Sequence, residues 1–340
     1  MAPKIFVTGG TGYIGGSVLH TIVTTHPEYE VTALLRNVPD AFSSTYPKVR
    51  IVKGDYDSTD LLSEEASKAD VVVHNGDSDH EPSLNAIIAG ILRRPTPGFL
   101  LFLSGTGILA DWADDTYLGK ENPKIWSDID DLDEERSLPD YALHRNTEKI
   151  LHATAAEKGD KIKIAIMTPP DIYGKGLGLA KTWSALLPIF AKEVNALGGK
   201  VFKYGEGTNT RSWVHINDLM KVYMKVLEAA VAGGSNFGWN QEGVYYASTQ
   251  EHTHISLAIA MGAILKKHGL INDATPVDVS LDQIDTMAKH PLFPKLGRYM
   301  FVANSRTRPH RAEKLFAYKG TEPGFLECLE EELLDAMKRA

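Results

Sequence analysis

The sequence predicts an α/β protein: a doubly wound parallel sheet followed by a smaller C-terminal lobe. Three observations carry this. A short apolar run, Ile5 to Val7, breaks into a glycine-rich turn and then an apolar helical pattern. Strand and helix signals alternate through the first half, which argues for parallel strands joined by crossover helices. The chain has 340 residues, more than the roughly 250–300 at which one core stops growing. Residues 1–175 are therefore assigned to the sheet domain, its core completed by later segments, and 176–340 mainly to the substrate lobe.

Ile5 to Val7 reads as a buried parallel strand. Gly9, Gly12 and Gly15 follow with the spacing G-x-x-G-x-x-G. The first glycine permits a tight turn, the second lets backbone approach a pyrophosphate, and the third lets the helix pack close on the strand. The helix expected over 12–25 offers free N–H groups and a partial positive charge to phosphates. This is a Rossmann-type dinucleotide site, with Gly9, Gly12, Tyr13, Ile14 and Gly15 as its first candidates.

The second strand, 29–35, ends at Arg36. An acid there would take a ribose 2′-OH and imply NAD, whereas arginine can pair bidentately with a 2′-phosphate. The cofactor expected is NADP(H). The third strand, 49–53, runs into Gly54-Asp55-Tyr56, and the fourth, 70–74, into Asn75-Gly76, where glycine suits a close backbone approach. Asp77, Asp79 and His80 read as caps of a helix over 81–94 rather than as metal ligands. The fifth strand, 99–103, ends in Ser104-Gly105-Thr106-Gly107.

From 110 to 139 the pattern lapses. A connection this long is often a binding loop or lid, and its acids, Asp128 and Glu135 among them, read as a solvated face. A helix is expected to start at Pro139, which would put Tyr141 and Arg145 one turn apart on one face. A sixth strand over 162–167 leads into Thr168-Pro169-Pro170-Asp171-Ile172-Tyr173-Gly174. Helices over 180–197 and 216–231 and short strands near 200–204 and 243–247 are assigned to the lobe. The irregular stretch 273–299 is a candidate cover for the substrate, and 325–338 reads as a terminal amphipathic helix.

The turn Thr8-Gly9-x-x-Gly12-x-x-Gly15 and the stretch Tyr204-Gly-Glu-Gly-Thr-Asn-Thr-Arg211-Ser-Trp-Val-His215-Ile-Asn-Asp218-Leu resemble the extended short-chain dehydrogenase/reductase group, which includes nucleotide-sugar epimerases. The resemblance covers essentially the whole chain. It implies that Asp55, with Tyr56 beside it, meets the adenine, that Asn75 and Gly76 pass the ribose, and that Pro169 and Ile172 lie by the nicotinamide carboxamide. It also implies a Ser or Thr past the fifth strand to polarise the reacting oxygen. Ser104 and Thr106 are both candidates, because the matching position falls on Gly105. Tyr141 would transfer the proton. Arg145 stands where the family has lysine, and it would orient the ribose and support the tyrosinate. Arginine is no conservative exchange there, since it cannot give up a proton and its fork is bulkier. Arg211 would grip a substrate pyrophosphate. The His144-Arg145 step and Ser-Gly-Thr-Gly are also similar to a largely uncharacterised fungal group of the family in which the tyrosine is not fixed.

The bulk numbers narrow the partners. Net charge is −8 and no basic run stands out, which speaks against nucleic acid or an anionic membrane. Cys328 is the single cysteine, so no cysteine-based metal cluster forms, and no metal site is assigned. With no room for a signal peptide and no apolar run of ~20 residues, the expected location is cytoplasmic; a homodimer stays open. The function expected is an NADP-dependent oxidoreductase interconverting a carbonyl and an alcohol on a small organic substrate. The competing readings are a nucleotide-sugar epimerase or dehydratase, resting on Arg211, and a non-catalytic NADP-binding sensor, resting on the degraded catalytic positions.

Overall fold

The computed structural model describes residues 2–290, 293 and 295–340. Seven strands build the main sheet: β1 (Lys4–Thr8), β2 (Glu30–Leu35), β3 (Arg50–Lys53), β4 (Val71–His74), β5 (Gly98–Leu103), β6 (Ile162–Thr168) and β7 (Val244–Tyr246). All pair in parallel in the order β7-β6-β5-β4-β1-β2-β3. The helices that matter below are α1 (Tyr13–Thr25), α2 (Thr59–Lys68), α3 (Glu81–Leu92), α4 (Arg145–Lys158), α5 (Leu186–Ala196), α6 (Ile216–Val231), α7 (His254–Lys267) and α8 (Phe325–Arg339).

Side chains alternate across a strand, and both faces of this sheet are apolar. Ile5, Val7, Val73, Leu101 and Met167 pack on one face with α1 and α6. Phe6, Val72, Leu100, Phe102 and Ile166 pack on the other with α2, α3 and α4. That double cover is why the strands read as continuous hydrophobic runs. A third core belongs to the lobe and joins Phe190, Phe202, Trp213, Met261, Phe301, Phe325 and Leu333. No helix among the described residues is long and apolar enough to cross a membrane.

Five expectations are corrected. The strand near 243–247 and the helix over 216–231 leave the lobe: the strand pairs with β6 in the main sheet and the helix packs on its face beside α1. The helix expected from Pro139 begins at Arg145, because residues 139–144 form turns and His144 takes a left-handed backbone, φ 63°. Asp128 and Glu135 are buried rather than solvated. The stretch 273–299 holds the helix Leu281–Thr286 and the start of the helix Leu296–Phe301; Pro291, Leu292 and Pro294 lie outside the described residues.

Candidate active site

The carboxyl ends of β1, β4, β5 and β6 meet on one side of the sheet, the side where open α/β folds bind ligands. Gly9 has φ +73°, and a Cβ on it would lie 2.1 Å from the Asn75 carbonyl oxygen. A Cβ on Gly15 would lie 2.3 Å from the Gly9 carbonyl oxygen. Gly12 differs: a Cβ there would meet only the Gly9 oxygen, at 3.3 Å, and otherwise open space. No side chain caps α1 and no acid sits in its first turn, so the helix start keeps its charge for an anion. Asn75 is buried beside this turn, its Oδ1 accepting from the Tyr223 hydroxyl at 2.9 Å and its Nδ2 without a partner among the described residues.

Residues 174–181 cross over the same turn. The Tyr13 hydroxyl donates to the Gly174 carbonyl at 2.6 Å, Leu177 N–H to Ser17 Oγ at 3.0 Å, and Lys181 N–H to the Thr11 carbonyl at 3.3 Å. Tyr13 is thus a buried anchor, its phenol raised far above its usual pKa by burial first and Glu332 second. Ile14 packs on the core beneath.

At the far end, Arg36 is exposed and makes no hydrogen bond or ion pair among the described residues. The Tyr56 ring covers Gly76, where a Cβ would come within 2.7 Å of it. Burial, then Asp77, push the Tyr56 phenol up, and the Arg36 charge partly offsets them. Asp55 is exposed and takes Ser58 Oγ at 2.8 Å and Asp57 N–H at 3.2 Å, a turn-closing pattern.

Among the described residues, the expected catalytic residues share no hydrogen bond with one another. Ser104 Oγ donates to Glu148 Oε1 at 2.5 Å in the interior. That carboxylate adjoins Glu135, whose carboxyl burial first and Glu148 second push well above the usual carboxylate range, while Tyr246 donates to it at 2.7 Å. Ser104 is therefore committed to a buried acid network. Thr106 keeps its hydroxyl free among the described residues, its N–H donating to the Pro169 carbonyl at 2.9 Å. Tyr141 precedes α4, is 60% exposed and stands edge-on to Trp112 at 5.6 Å. Arg145 is buried, and its Nε donates to the Leu138 carbonyl at 2.8 Å while Nη2 donates to that of Arg136. The shared helix face expected for Tyr141 and Arg145 does not form, because Arg145 fastens the preceding turn instead. Gly105 faces the His144 ring: a Cβ there would lie 3.4 Å from its Nε2.

Ile172 pairs with Val214 in a small parallel ladder, and Asp171 on that strand was not singled out by the sequence. Arg211 gives Nε and Nη2 to the Asp171 carboxylate at 2.5 and 3.0 Å and Nη1 to the Tyr299 carbonyl at 2.7 Å. Each guanidinium nitrogen is engaged within the chain, and the group stacks 4.5 Å over the Tyr299 ring. The Tyr299 hydroxyl reaches Gly107, and Phe293 and Trp112 continue from it in edge-on steps of 6.3 and 5.0 Å. An aromatic wall thus flanks the end of β5. Phe293 and Tyr299 carried no signal of their own, since neither lies in a regular pattern.

Two family models match: the NAD dependent epimerase/dehydratase family over residues 118–240 and the NmrA-like family over residues 1–93. A protein named oxidase ucsJ, from an Acremonium species, is 29% identical, covering 97% of this chain and 96% of its own. A dTDP-glucose 4,6-dehydratase of Mycobacterium tuberculosis is 23% identical over 68% of this chain and 70% of its own. Among solved structures, the dTDP-glucose 4,6-dehydratase DesIV of Streptomyces venezuelae, with NAD and TYD bound, superposes with a TM-score of 0.63 at 18% identity, over 97% of this chain and 96% of that one. At that identity the likeness speaks for the fold alone.

Proposed function

Because the chain belongs to the extended short-chain dehydrogenase/reductase family, we propose that it is an NADP(H)-dependent oxidoreductase that interconverts a carbonyl and an alcohol on a small organic substrate. Residues 1–175 would hold the cofactor and 176–340 most of the substrate. The observation that carries the cofactor is the glycine turn: Gly12 opens onto free space, α1 is uncapped, and Asn75 Nδ2 is a buried donor without a partner among the described residues. The α1 amides and Gly12 would take the pyrophosphate, Arg36 the 2′-phosphate, Tyr56 the adenine side, and Asn75, Gly76, Pro169 and Ile172 the ribose and nicotinamide. The cofactor supplies or accepts the hydride; the protein orients substrate against it and moves the proton. The Thr106 hydroxyl would polarise the reacting oxygen. The wall of Trp112, Phe293 and Tyr299 favours an uncharged, apolar carbonyl compound.

Titration with NADPH and NADH tests the cofactor, with at least tenfold tighter NADPH binding expected and that preference lost in Arg36→Ala. Equal affinities in the unaltered protein would refute it. NADPH consumption over a panel of aromatic and aliphatic ketones and aldehydes tests the reaction.

The second reading is a nucleotide-sugar epimerase or dehydratase, favoured by the dehydratases among the relatives. Arg211, which would hold the sugar nucleotide's pyrophosphate, is instead neutralised by Asp171. Tight binding of UDP-glucose or dTDP-glucose would favour this reading over ours.

A further inference from the structure

We propose that His144, held by Asp79, is the acid–base catalyst of this site; this rests on the oxidoreductase reading above. Four independent features converge on the imidazole.

The first is place. His144 meets the end of β5 at Gly105, and the Pro169 carbonyl from the end of β6 lies 3.9 Å from where a Gly105 Cβ would sit. Asp79 comes from the loop after β4, so three adjacent strand ends contribute, as ligand-binding edges of such sheets do. The ring occupies the direction that a side chain at position 105 would take, and glycine there leaves the room.

The second is orientation. His144 Nδ1 lies 3.0 Å from Asp79 Oδ1. The Asp79 loop is pinned to α4 by three more bonds: Asn146 Nδ2 donates to the Asp79 carbonyl at 2.9 Å and to Glu81 Oε1 at 3.0 Å, and Thr147 Oγ1 to the Ser78 carbonyl at 2.6 Å. A carboxylate on Nδ1 fixes the tautomer with Nδ1–H and presents Nε2 as the exchanging nitrogen. Burial opposes the charge on Asp79, but the His144 hydrogen bond and charge hold its carboxyl below the usual range. Among the described residues, Asp79 is the titratable group that pairs with the ring.

The third is backbone strain. His144 has φ 63° and ψ 0°, a left-handed conformation that non-glycine residues seldom adopt. Such strain survives where surrounding structure over-determines it, and it concentrates at functional sites. The fourth is availability. The side chain is 20% exposed and Nε2 makes no hydrogen bond among the described residues, whereas Ser104 is tied to Glu148 and Tyr141 faces outward.

In the reducing direction the carbonyl carbon takes a hydride, with its electron pair, from a reduced nicotinamide dinucleotide. The C=O π pair moves to oxygen and takes the proton from Nε2 of the imidazolium. An alcohol and a neutral imidazole result, and solvent returns the proton. Asp79 is a positioning residue that stabilises the imidazolium, and Thr106 Oγ donates a hydrogen bond to the reacting oxygen.

The test uses His144→Asn, since asparagine tolerates the left-handed backbone, with Asp79→Asn beside it. A carbonyl turned over by the unaltered protein serves as substrate. His144→Asn should keep NADPH affinity within threefold while turnover falls roughly 10²–10⁴-fold, the usual worth of a positioned acid–base group. Asp79→Asn should lower kcat by tenfold or more with KM little changed and shift the pH profile. Independently of activity, nitrogen NMR of the cofactor-free protein should show His144 as the Nδ1–H tautomer. NADP⁺ should move its Nε2 signal, and Asp79→Asn should scramble the tautomer. Turnover by His144→Asn within threefold of the unaltered protein, or an Nε2 signal unmoved by saturating NADP⁺, would overturn the proposal and leave the oxidoreductase reading intact. If the unaltered protein binds NADPH but turns over no carbonyl or alcohol, the oxidoreductase reading itself falls, and the proton-transfer role with it.

Discussion

Asp171→Asn isolates the ion pair that separates the two substrate classes. Arg211 is 6% exposed, and its fork meets both Asp171 oxygens. The amide keeps the shape and can still accept one of these bonds, but it carries no charge. Removing one partner of a buried pair typically costs about 3–5 kcal/mol, because the other charge is left uncompensated. Here the Tyr299 carbonyl and the ring under the guanidinium remain, so the lower end applies, about 3 kcal/mol. Urea unfolding should show this as a lower midpoint at unchanged slope. Adding Arg211→Met removes the stranded charge and should recover part of the loss, so the double variant should be more stable than Asp171→Asn alone. The uncompensated guanidinium should also gain affinity for inorganic pyrophosphate, which the unaltered protein should not bind at Arg211. A loss below about 1 kcal/mol, too small for a buried pair and ordinary for a solvated one, would show that Arg211 is not neutralised by Asp171. The case against a sugar-nucleotide grip would fail with it.

Other substitutions follow from the same geometry. Gly12→Val should fold with a midpoint close to the unaltered protein yet lose NADPH binding, since its side chain enters open space the pyrophosphate needs; a variant that binds normally would misplace the site. Gly9→Ala should instead fail to fold or lose several kcal/mol, about the tail expected for strain plus overlap, because its Cβ falls 2.1 Å from the Asn75 oxygen at a positive φ. Tyr141→Phe should change turnover less than about threefold, far below the effect of a lost acid–base group, as steady-state kinetics would show. Burial first and the neighbouring Glu148 second hold the Glu135 carboxyl well above the value it has in the unfolded chain. A raised carboxyl pKa means the folded state gives up stability as pH climbs past that unfolded value. Glu135→Gln should flatten that decline in urea melts at about pH 5 and 8, whereas an unchanged slope would remove Glu135 as its source.

The sheet and the glycine turn were legible because their causes are local. Both faces of each central strand are buried, so the strands read as apolar runs, and the glycine spacing states a steric need. The start of α4 was not legible. Pro139 signals a helix, but Arg145 reaches back to two carbonyls and His144 turns left-handed, and neither follows from the local pattern. Asp79 and His144 meet across 65 residues, and Asp171 and Arg211 across 40. Their pairing depends on topology that periodicity does not encode. The burial of Asp128 has the same origin: it accepts the backbone N–H groups of Tyr246 and Arg311, from segments far along the chain.

The seventh strand bears on how the protein is made. Val244–Tyr246 must reach β6 before the sheet has its outer edge, and Ile216–Val231 must arrive before the face carrying Val73, Leu101 and Met167 is covered. A ribosome adding about 5–20 residues per second spends several seconds between finishing β6 and delivering β7. During that interval the nascent chain carries an open strand edge and a bare apolar face, both of which invite aggregation. The seven-stranded sheet therefore cannot mature before residues 216–246 have been made. Expressed alone, 1–175 should be insoluble or chaperone-bound, and the glycine turn, though complete within the first fifteen residues, has no stable sheet to sit on until much of the chain has been synthesised.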